Sequence, residues 1–109
     1  MAQKPDPLQP ETCSVKLAAL AAPARLGIVW LLRAGPLNVT EIAARLEADP
    51  VNVSHHLGVL VAAGLACREK RGRFAFYSLA PGVFLPGDDG SSRVDLGCCR
   101  LEFPPGPTE

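Results

Sequence analysis

A chain of 109 residues, of which 48% are hydrophobic, is long enough for one small domain with a modest core, the kind that often gains stability by dimerising. Eleven basic residues balance eleven acidic ones, so net charge gives no indication of a nucleic-acid partner. The apolar segment LAALAA is too short for a secretory signal, and charged residues and prolines interrupt every longer apolar run. The composition therefore predicts a cytoplasmic protein without a membrane segment.

Two helices are predicted in the first third of the chain. Residues 1–11 are rich in proline and are expected to be disordered, and an Ala/Leu-rich helix follows at about 14–22. A second helix begins at Pro23 and ends before Gly35, because proline suits a helix start and glycine a helix end. The second helix carries a set of residues in helical register: Leu26, Val29, Trp30 and Arg33.

The next two predicted helices are separated by only about three residues, 47–49. Asn38 and Glu41 have the spacing of a capping box that opens a short helix, VTEIAARL. The following helix has Asp49 as a natural N-cap and Gly64 at its end. Its apolar stripe recurs at helical period: Val53, Leu57, Leu60 and Val61. Two helices joined by such a short turn form a helix-turn-helix motif.

A basic hairpin follows this motif directly. The β-favouring runs 65–69 and 74–79 flank a tight turn at Arg71-Gly72-Arg73, which predicts two antiparallel strands. A helix-turn-helix motif followed directly by a β-hairpin is the layout of a winged helix-turn-helix. The predicted fold is therefore mainly α with a small β-hairpin.

Four segments, in order, resemble the ArsR/SmtB family of winged-helix repressors: LAALAAPARLGIVWLL, NVTEIAARL, VNVSHHLGVLVAAGL and REKRGRFAFYSL. The resemblance covers about residues 15–80. Each segment alone is a weak indication, but the four segments in this order are specific to the family. The resemblance implies a homodimeric repressor that binds a double-stranded DNA operator. We expect the DNA-binding domain at 12–80 and a loop with a cysteine-containing tail at 81–109. The chain has no nucleophile with a base, phosphate loop or paired carboxylates, so no enzyme is predicted.

Angular placement selects the DNA-facing side chains of the second helix in the motif. With Val53 as origin, Ser54 lies at about 100° and His55 at about 200°. Asn52 lies at about 260°, so all three face away from the buried stripe and can reach base edges. The resemblance supports Ser54 and His55 in this role. His56, at about 300°, is predicted to be a packed structural histidine, and adjacent histidines diverge too far to share a metal ion.

The hairpin supplies the predicted phosphate or minor-groove contacts: Arg68, Lys70, Arg71 and Arg73. Residues 12–80 hold eight basic against four acidic residues, so the charge that is balanced over the whole chain is positive here. A solvated hairpin tip is the alternative interpretation of the same cluster. A winged helix that binds protein instead of DNA is the alternative for the domain as a whole.

Four cysteines form the second informative feature. In a reducing compartment, clustered thiols bind metal or sense redox state more often than they form structural disulfides. Cys67 lies in the first hairpin strand and is expected to be an ordinary small buried side chain. Cys98 and Cys99 lie where the apolar alternation of the tail changes phase, as at a bulge or bend that turns both thiols toward one point.

The resemblance limits the choice of inducer. An arsenic-sensing version of the family carries a CVC pattern at the third helix, where this chain has Asn38, Val39 and Thr40. Zinc, nickel and cobalt sensors carry histidine sites on a last helix, whereas this chain has no histidine after Tyr77. Other members bind arsenic through cysteines near the termini.

The remaining donors are thiols alone. Thiolates without imidazole favour thiophilic ions, and three of them suit pyramidal trivalent arsenic or antimony. The predicted site is therefore Cys13, Cys98 and Cys99, with Cys13 from the same chain or from a partner chain. A redox or persulfide switch on the same cysteines is one alternative, and zinc with an added fourth ligand is another.

Overall fold

The structure is a computed structural model that describes residues 9–106. The four helices are α1 (Pro10–Leu20), α2 (Pro23–Leu32), α3 (Val39–Leu46) and α4 (Pro50–Ala62). The strands of the first sheet are β1 (Leu37–Asn38), β2 (Ala66–Arg71) and β3 (Phe74–Leu79). The strands of the second sheet are β4 (Phe84–Pro86), β5 (Ser92–Asp95) and β6 (Arg100–Phe103). The predicted winged helix-turn-helix, with helices packed against a small antiparallel sheet, is confirmed.

Side-chain caps fix the ends of the helix-turn-helix. The capping box of α3 is complete: Asn38 Oδ1 accepts from Glu41 N at 2.8 Å, and Glu41 Oε1 accepts from Asn38 N at 3.0 Å. Asp49 Oδ1 accepts from Val51 N at 2.7 Å and so caps α4. Glu47 ends α3 in the left-handed region, with φ of 52°, which turns the chain sharply toward α4.

The core lies where the three helices α2, α3 and α4 meet. Ile28, Ile42, Leu57 and Leu60 are fully buried. Val53 is 1% exposed, so most of the predicted α4 stripe faces this core, and Val61 at its margin is half-buried. Burial of this apolar surface holds α4 at a fixed angle to the rest of the domain.

The wing is the antiparallel pair β2 and β3, and β1 adds to the other edge of β3. Gly72, with φ of 62°, occupies the tight turn between the strands. Cys67 is exposed, so the prediction of a buried side chain is wrong. Side chains alternate along a strand, so Cys67 lies on the opposite face from Ala66, and Ala66 is the one buried residue of the edge strand β2.

The tail is a second antiparallel sheet, ordered β4, β5, β6. The loop expected in the first part of this segment, residues 81–93, is interrupted by β4 and by the start of β5, and Pro86 is the last residue of β4. Val94 and Leu96 are 4% and 1% exposed, so this sheet packs into the domain core. Residues 107–109 lie outside the described residues.

The change of apolar phase in the tail is a hairpin turn instead of a bulge. Leu96 N donates to Cys99 O at 2.9 Å, and Gly97 has φ of 85°. This four-residue turn places Cys98 and Cys99 at the end of the β5–β6 hairpin.

The first helix begins earlier than its sequence predicts. It starts at Pro10, which suits a first helical position, and so includes two residues of the segment expected to be disordered. Residues 1–8 of that segment lie outside the described residues. Within 9–106, no single helix is long and apolar enough to cross a membrane. Helices α1 and α2 together have the required length and composition, but they meet at a bend of 86°, and Leu20 and Ile28 are buried in the domain core.

Candidate DNA interface and thiol site

The N-terminal half of α4 presents polar side chains to solvent. Asn52, Ser54 and His55 are all exposed, whereas Val53 between them is buried. The helix therefore has an inner apolar face and an outer face of short polar groups, which is the arrangement that reading a major groove requires.

His56 lies at the border between these two faces. It is half-buried, and its Nδ1 lies 3.0 Å from Arg25 Nη1. Burial lowers the pKa of His56, and the charges of Arg25 and His55 lower it further. A neutral, packed ring agrees with the structural role predicted for this residue. Its partner was missed, because Arg25 lies on another helix and no local spacing connects the two.

The four basic residues of the wing are all exposed. Strand alternation places Arg68 and Lys70 on one face of β2 and Arg71 on the other. Arg71 Nη2 lies 3.3 Å from Glu69 Oε2, and its guanidinium carbon lies 5.2 Å from the centre of the Phe76 ring. An exposed ion pair of this kind contributes little to stability, so it leaves Arg71 able to exchange partners.

Three cysteines far apart in the sequence come together in one chain. Cys13 is buried in α1, and Cys98 and Cys99 are half-buried in the β5–β6 turn. Cys13 and Cys98 form a disulfide with a Cα–Cα distance of 5.8 Å. The Cys99 sulfur lies 3.6 Å from the Cys13 sulfur and 4.0 Å from the Cys98 sulfur. All three sulfurs lie within 4.8 Å of one another.

This spacing is compatible with two chemical states. Thiolates held about 2.3 Å from a shared ion at roughly tetrahedral angles lie about 3.8 Å apart, close to the separations around Cys99. Reduction of the Cys13–Cys98 bond by a cellular thiol would take two electrons and two protons and yield three free thiols. With the bond closed, Cys99 is the one free thiol of these three, so binding of an ion by all three thiols and disulfide formation exclude each other.

A hydrogen bond from Lys16 connects the β5–β6 turn, which holds Cys98 and Cys99, to α1. Lys16 Nζ donates to Leu96 O at 2.9 Å, and Lys16 lies one helical turn beyond Cys13 on the same helix face. Asp95 stiffens the other side of the turn, because its Oδ1 accepts from Gly97 N at 2.8 Å. The three-residue spacing of Lys16 from Cys13 could have indicated that the two share a helix face. The carbonyl that Lys16 binds lies 80 residues away, so no local pattern predicts the hydrogen bond.

Comparison with known proteins agrees with this architecture. A family model described as a helix-turn-helix domain matches residues 20–66. The HTH-type transcriptional regulator NmtR of Mycobacterium tuberculosis is 46% identical over 63 residues, which are 58% of this chain and 52% of that protein. A crystal structure of a possible transcriptional regulator for arsenical resistance is 41% identical, with a TM-score of 0.58 over 61% of this chain and 69% of that one.

A solution structure from Mycobacterium bovis, Mb0332, is described as a homodimeric winged helix-turn-helix DNA-binding domain of a possible ArsR-family regulator. It is 28% identical, with a TM-score of 0.65 over 73% of this chain and 76% of that one. The chain belongs to the ArsR/SmtB family. The three relatives are all named as transcriptional regulators or possible transcriptional regulators.

The ArsR/SmtB match has a defined extent. The chain spans about half the length of the curated relatives it matches, with 52% and 47% of the first two covered. The family model includes α2, α3 and α4 and ends as the wing begins. Cys13, Cys98 and Cys99 all lie outside residues 20–66, so the family match does not extend to the thiol site.

Proposed function

We propose that this chain is a homodimeric, DNA-binding transcriptional repressor that releases its operator when a thiophilic ion binds Cys13, Cys98 and Cys99. The observation that carries the proposal is the convergence of three sulfurs within 4.8 Å on a winged helix-turn-helix. The ion is trivalent arsenic or antimony, because the site offers thiols without imidazole.

The DNA-binding half of the proposal uses residues 12–80. Asn52, Ser54 and His55 of α4 read base edges, and the basic side chains of the wing contact phosphates or the minor groove. Homodimerisation supplies two reading helices for two half-sites, and it is supported by the homodimeric relative and by exposed apolar side chains such as Val15 and Trp30. A repressor of this kind acts in the cytoplasm, where the DNA is.

Arsenite binds three thiols by ligand exchange, without a change of oxidation state. Arsenite, present at neutral pH as As(OH)₃, exchanges its three hydroxyl groups for three thiolates, and the three thiol protons leave in three water molecules. No electron transfer is needed once the Cys13–Cys98 pair is reduced. The bound ion then ties α1 to the β5–β6 turn by three covalent bonds.

Release follows if the ion-bound arrangement of α1 differs from the one that fits the operator. Two half-sites require the reading helices to be about one DNA turn apart, so a small rotation of each protomer removes one of the two contacts. A typical coupling of about 1 to 3 kcal/mol between two sites lowers operator affinity about 5- to 150-fold.

The test is a titration of the protein–operator complex, with the operator first obtained by selection from genomic fragments. Fluorescence anisotropy is followed as arsenite, antimonite, cadmium, zinc or peroxide is added to reduced wild type, Cys98→Ser and Cys67→Ser. We expect release by arsenite and antimonite in the wild type and in Cys67→Ser, whose exposed thiol lies outside the three-sulfur site, and no release in Cys98→Ser. Equal release in all three proteins would contradict the thiol site, and no binding to any duplex would contradict the repressor.

The disulfide supports a second candidate function. Cys13 and Cys98 form that bond, so peroxide, or a persulfide donor, is the alternative inducer on the same residues. Two thiols and one peroxide yield one disulfide and two water molecules. Release by peroxide in the absence of any ion, reversed by a dithiol reductant, would favour this candidate over the ion.

A further inference from the structure

One side chain joins three helices between the thiol site and the DNA-reading helix. Arg25 belongs to α2, and its Nε donates to Ala19 O at 2.6 Å while its Nη2 donates to Ala18 O at 3.4 Å. Its Nη1 donates to His56 Nδ1 at 3.0 Å. The guanidinium therefore binds the last turn of α1 on one side and the middle of α4 on the other.

We propose that Arg25 is the positioning residue that couples the thiol site on α1 to the DNA-reading surface of α4. The inference rests on the proposed function, and it names the route by which that site acts on DNA. It assigns Arg25 no contact with either the ion or the operator.

The direction of the Arg25–His56 bond is fixed by chemistry. A guanidinium has donors only, so Nδ1 of His56 must accept and the ring proton must lie on Nε2. The pKa of His56 is lowered by burial, then by Arg25 and His55, so the ring is neutral and can accept at pH 7. His56 adjoins His55 and is two residues from Ser54, so a shift of the ring and its helix turn displaces two predicted base-reading side chains.

The α1 side of the link has its own physical basis. Carbonyl groups in the last turn of a helix carry partial negative charge, which favours a cation beside them. Arg25 donates to Ala19 O and adds a second donor to Ala18 O, which also accepts from Ala21 N at 3.1 Å. Cys13 lies on the same helix, about 8 Å along the axis from Ala18 at 1.5 Å per residue. A short helix moves as a rigid body, so displacement of Cys13 toward a bound ion moves Ala18 and Ala19 with it. The Arg25 bonds transmit that movement to α4 or break.

The experiment compares operator affinity with and without saturating arsenite in five proteins: the wild type, three single variants, and the double variant of Arg25→Gln with His56→Leu. Arg25→Gln removes the bridge, and His56→Leu removes its α4 acceptor. Arg33→Gln is the matched control, because Arg33 is also an arginine of the α2 region, and its Nη1 donates to Trp30 O beside it at 2.9 Å. The control loses the same charge, so any general electrostatic effect on DNA binding appears in it too.

The expected result is a ratio of affinities of about 5 to 150 in the wild type and in Arg33→Gln. In Arg25→Gln and His56→Leu the ratio falls at least fivefold toward one, although arsenite still binds. The double variant has the ratio of either single variant, because both act through one bond. Nitrogen-15 spectra of wild-type His56 should show a proton on Nε2, with a change at Nδ1 when arsenite binds.

The outcomes separate the inference from the proposed function. A wild type that arsenite does not release overturns the proposed function and the coupling together. A wild type that is released, with Arg25→Gln and His56→Leu released by the same ratio, overturns the coupling alone and leaves the thiol site intact. If Arg25→Gln does not fold, His56→Leu decides the question, because it leaves the Arg25 bonds to α1 in place.

Discussion

Lys16→Met should weaken arsenite binding without touching a thiol. The wild-type Nζ donates to Leu96 O at 2.9 Å and holds the β5–β6 turn against α1 before any ion arrives. A hydrogen bond from a charged group to a carbonyl contributes about 1.5 to 3 kcal/mol. The bond is only partly buried, so solvent screening places its value at the lower end, which corresponds to about a tenfold loss of affinity. Methionine keeps the length and the apolar stem of the side chain.

The assay measures arsenite affinity by competition with a small dithiol, followed by the ultraviolet absorption of the arsenic–thiolate bonds. Lys70→Met is the control, since it removes an exposed lysine of the wing on a different part of the fold. We expect the control to bind arsenite as the wild type does. An affinity of Lys16→Met within twofold of the wild type would refute the view that this bond preorganises the site.

Three further predictions concern stability and DNA binding. Leu57→Ala should lower the free energy of unfolding by about 2 to 5 kcal/mol in urea melts, because Leu57 is fully buried, whereas Val51→Ala, at a 76% exposed position, should change little. Arg68→Gln should weaken operator binding on all sequences and reduce the slope of log affinity against log salt by about one, with Arg100→Gln of the tail as control. His56 has a lowered pKa in the fold, so its contribution to stability is complete above its unfolded pKa of about 6.5 and is lost as pH falls below it. In urea melts, the free energy of unfolding of the wild type should be lower at pH 5.5 than at pH 7.5, and the difference should be smaller in His56→Leu. An equal difference in the wild type and in His56→Leu would contradict this role of His56.

The helix-turn-helix could be predicted from sequence because its determinants are local. The capping box of Asn38 and Glu41, the cap at Asp49 and the α4 stripe all act over a few residues, so spacing alone identifies them. The same holds for the tight turn at Gly72. These signals fixed the position of α4 and of the wing to within a residue or two.

The features that could not be predicted from sequence all depend on contacts with residues far away in the chain. Cys67 is exposed because β2 is an edge strand with its outer face uncovered, and strand order cannot be derived from the strand itself. The tail strands have three or four residues each, so the short apolar alternation in this segment did not by itself predict a sheet, and pairing with one another stabilises the strands. The Lys16 and Arg25 bonds join elements 80 and 31 residues apart.

The candidate thiol site could be predicted from the sequence only in part. Ligand chemistry selected Cys13, Cys98 and Cys99 from the sequence but left open whether they belong to one chain. In the structure they converge within one chain, because the β5–β6 hairpin turns back onto α1. That convergence depends on the tail sheet, which sequence did not predict.

The central claim is that three thiols, and not the disulfide pair alone, control DNA binding. Cys99→Ser tests it most directly, because it keeps Cys13 and Cys98 and removes only the third sulfur. The measurement is operator affinity of the reduced protein with and without arsenite. We predict that release is lost in Cys99→Ser and that Cys67→Ser responds as the wild type does. Full arsenite-induced release in Cys99→Ser would contradict it.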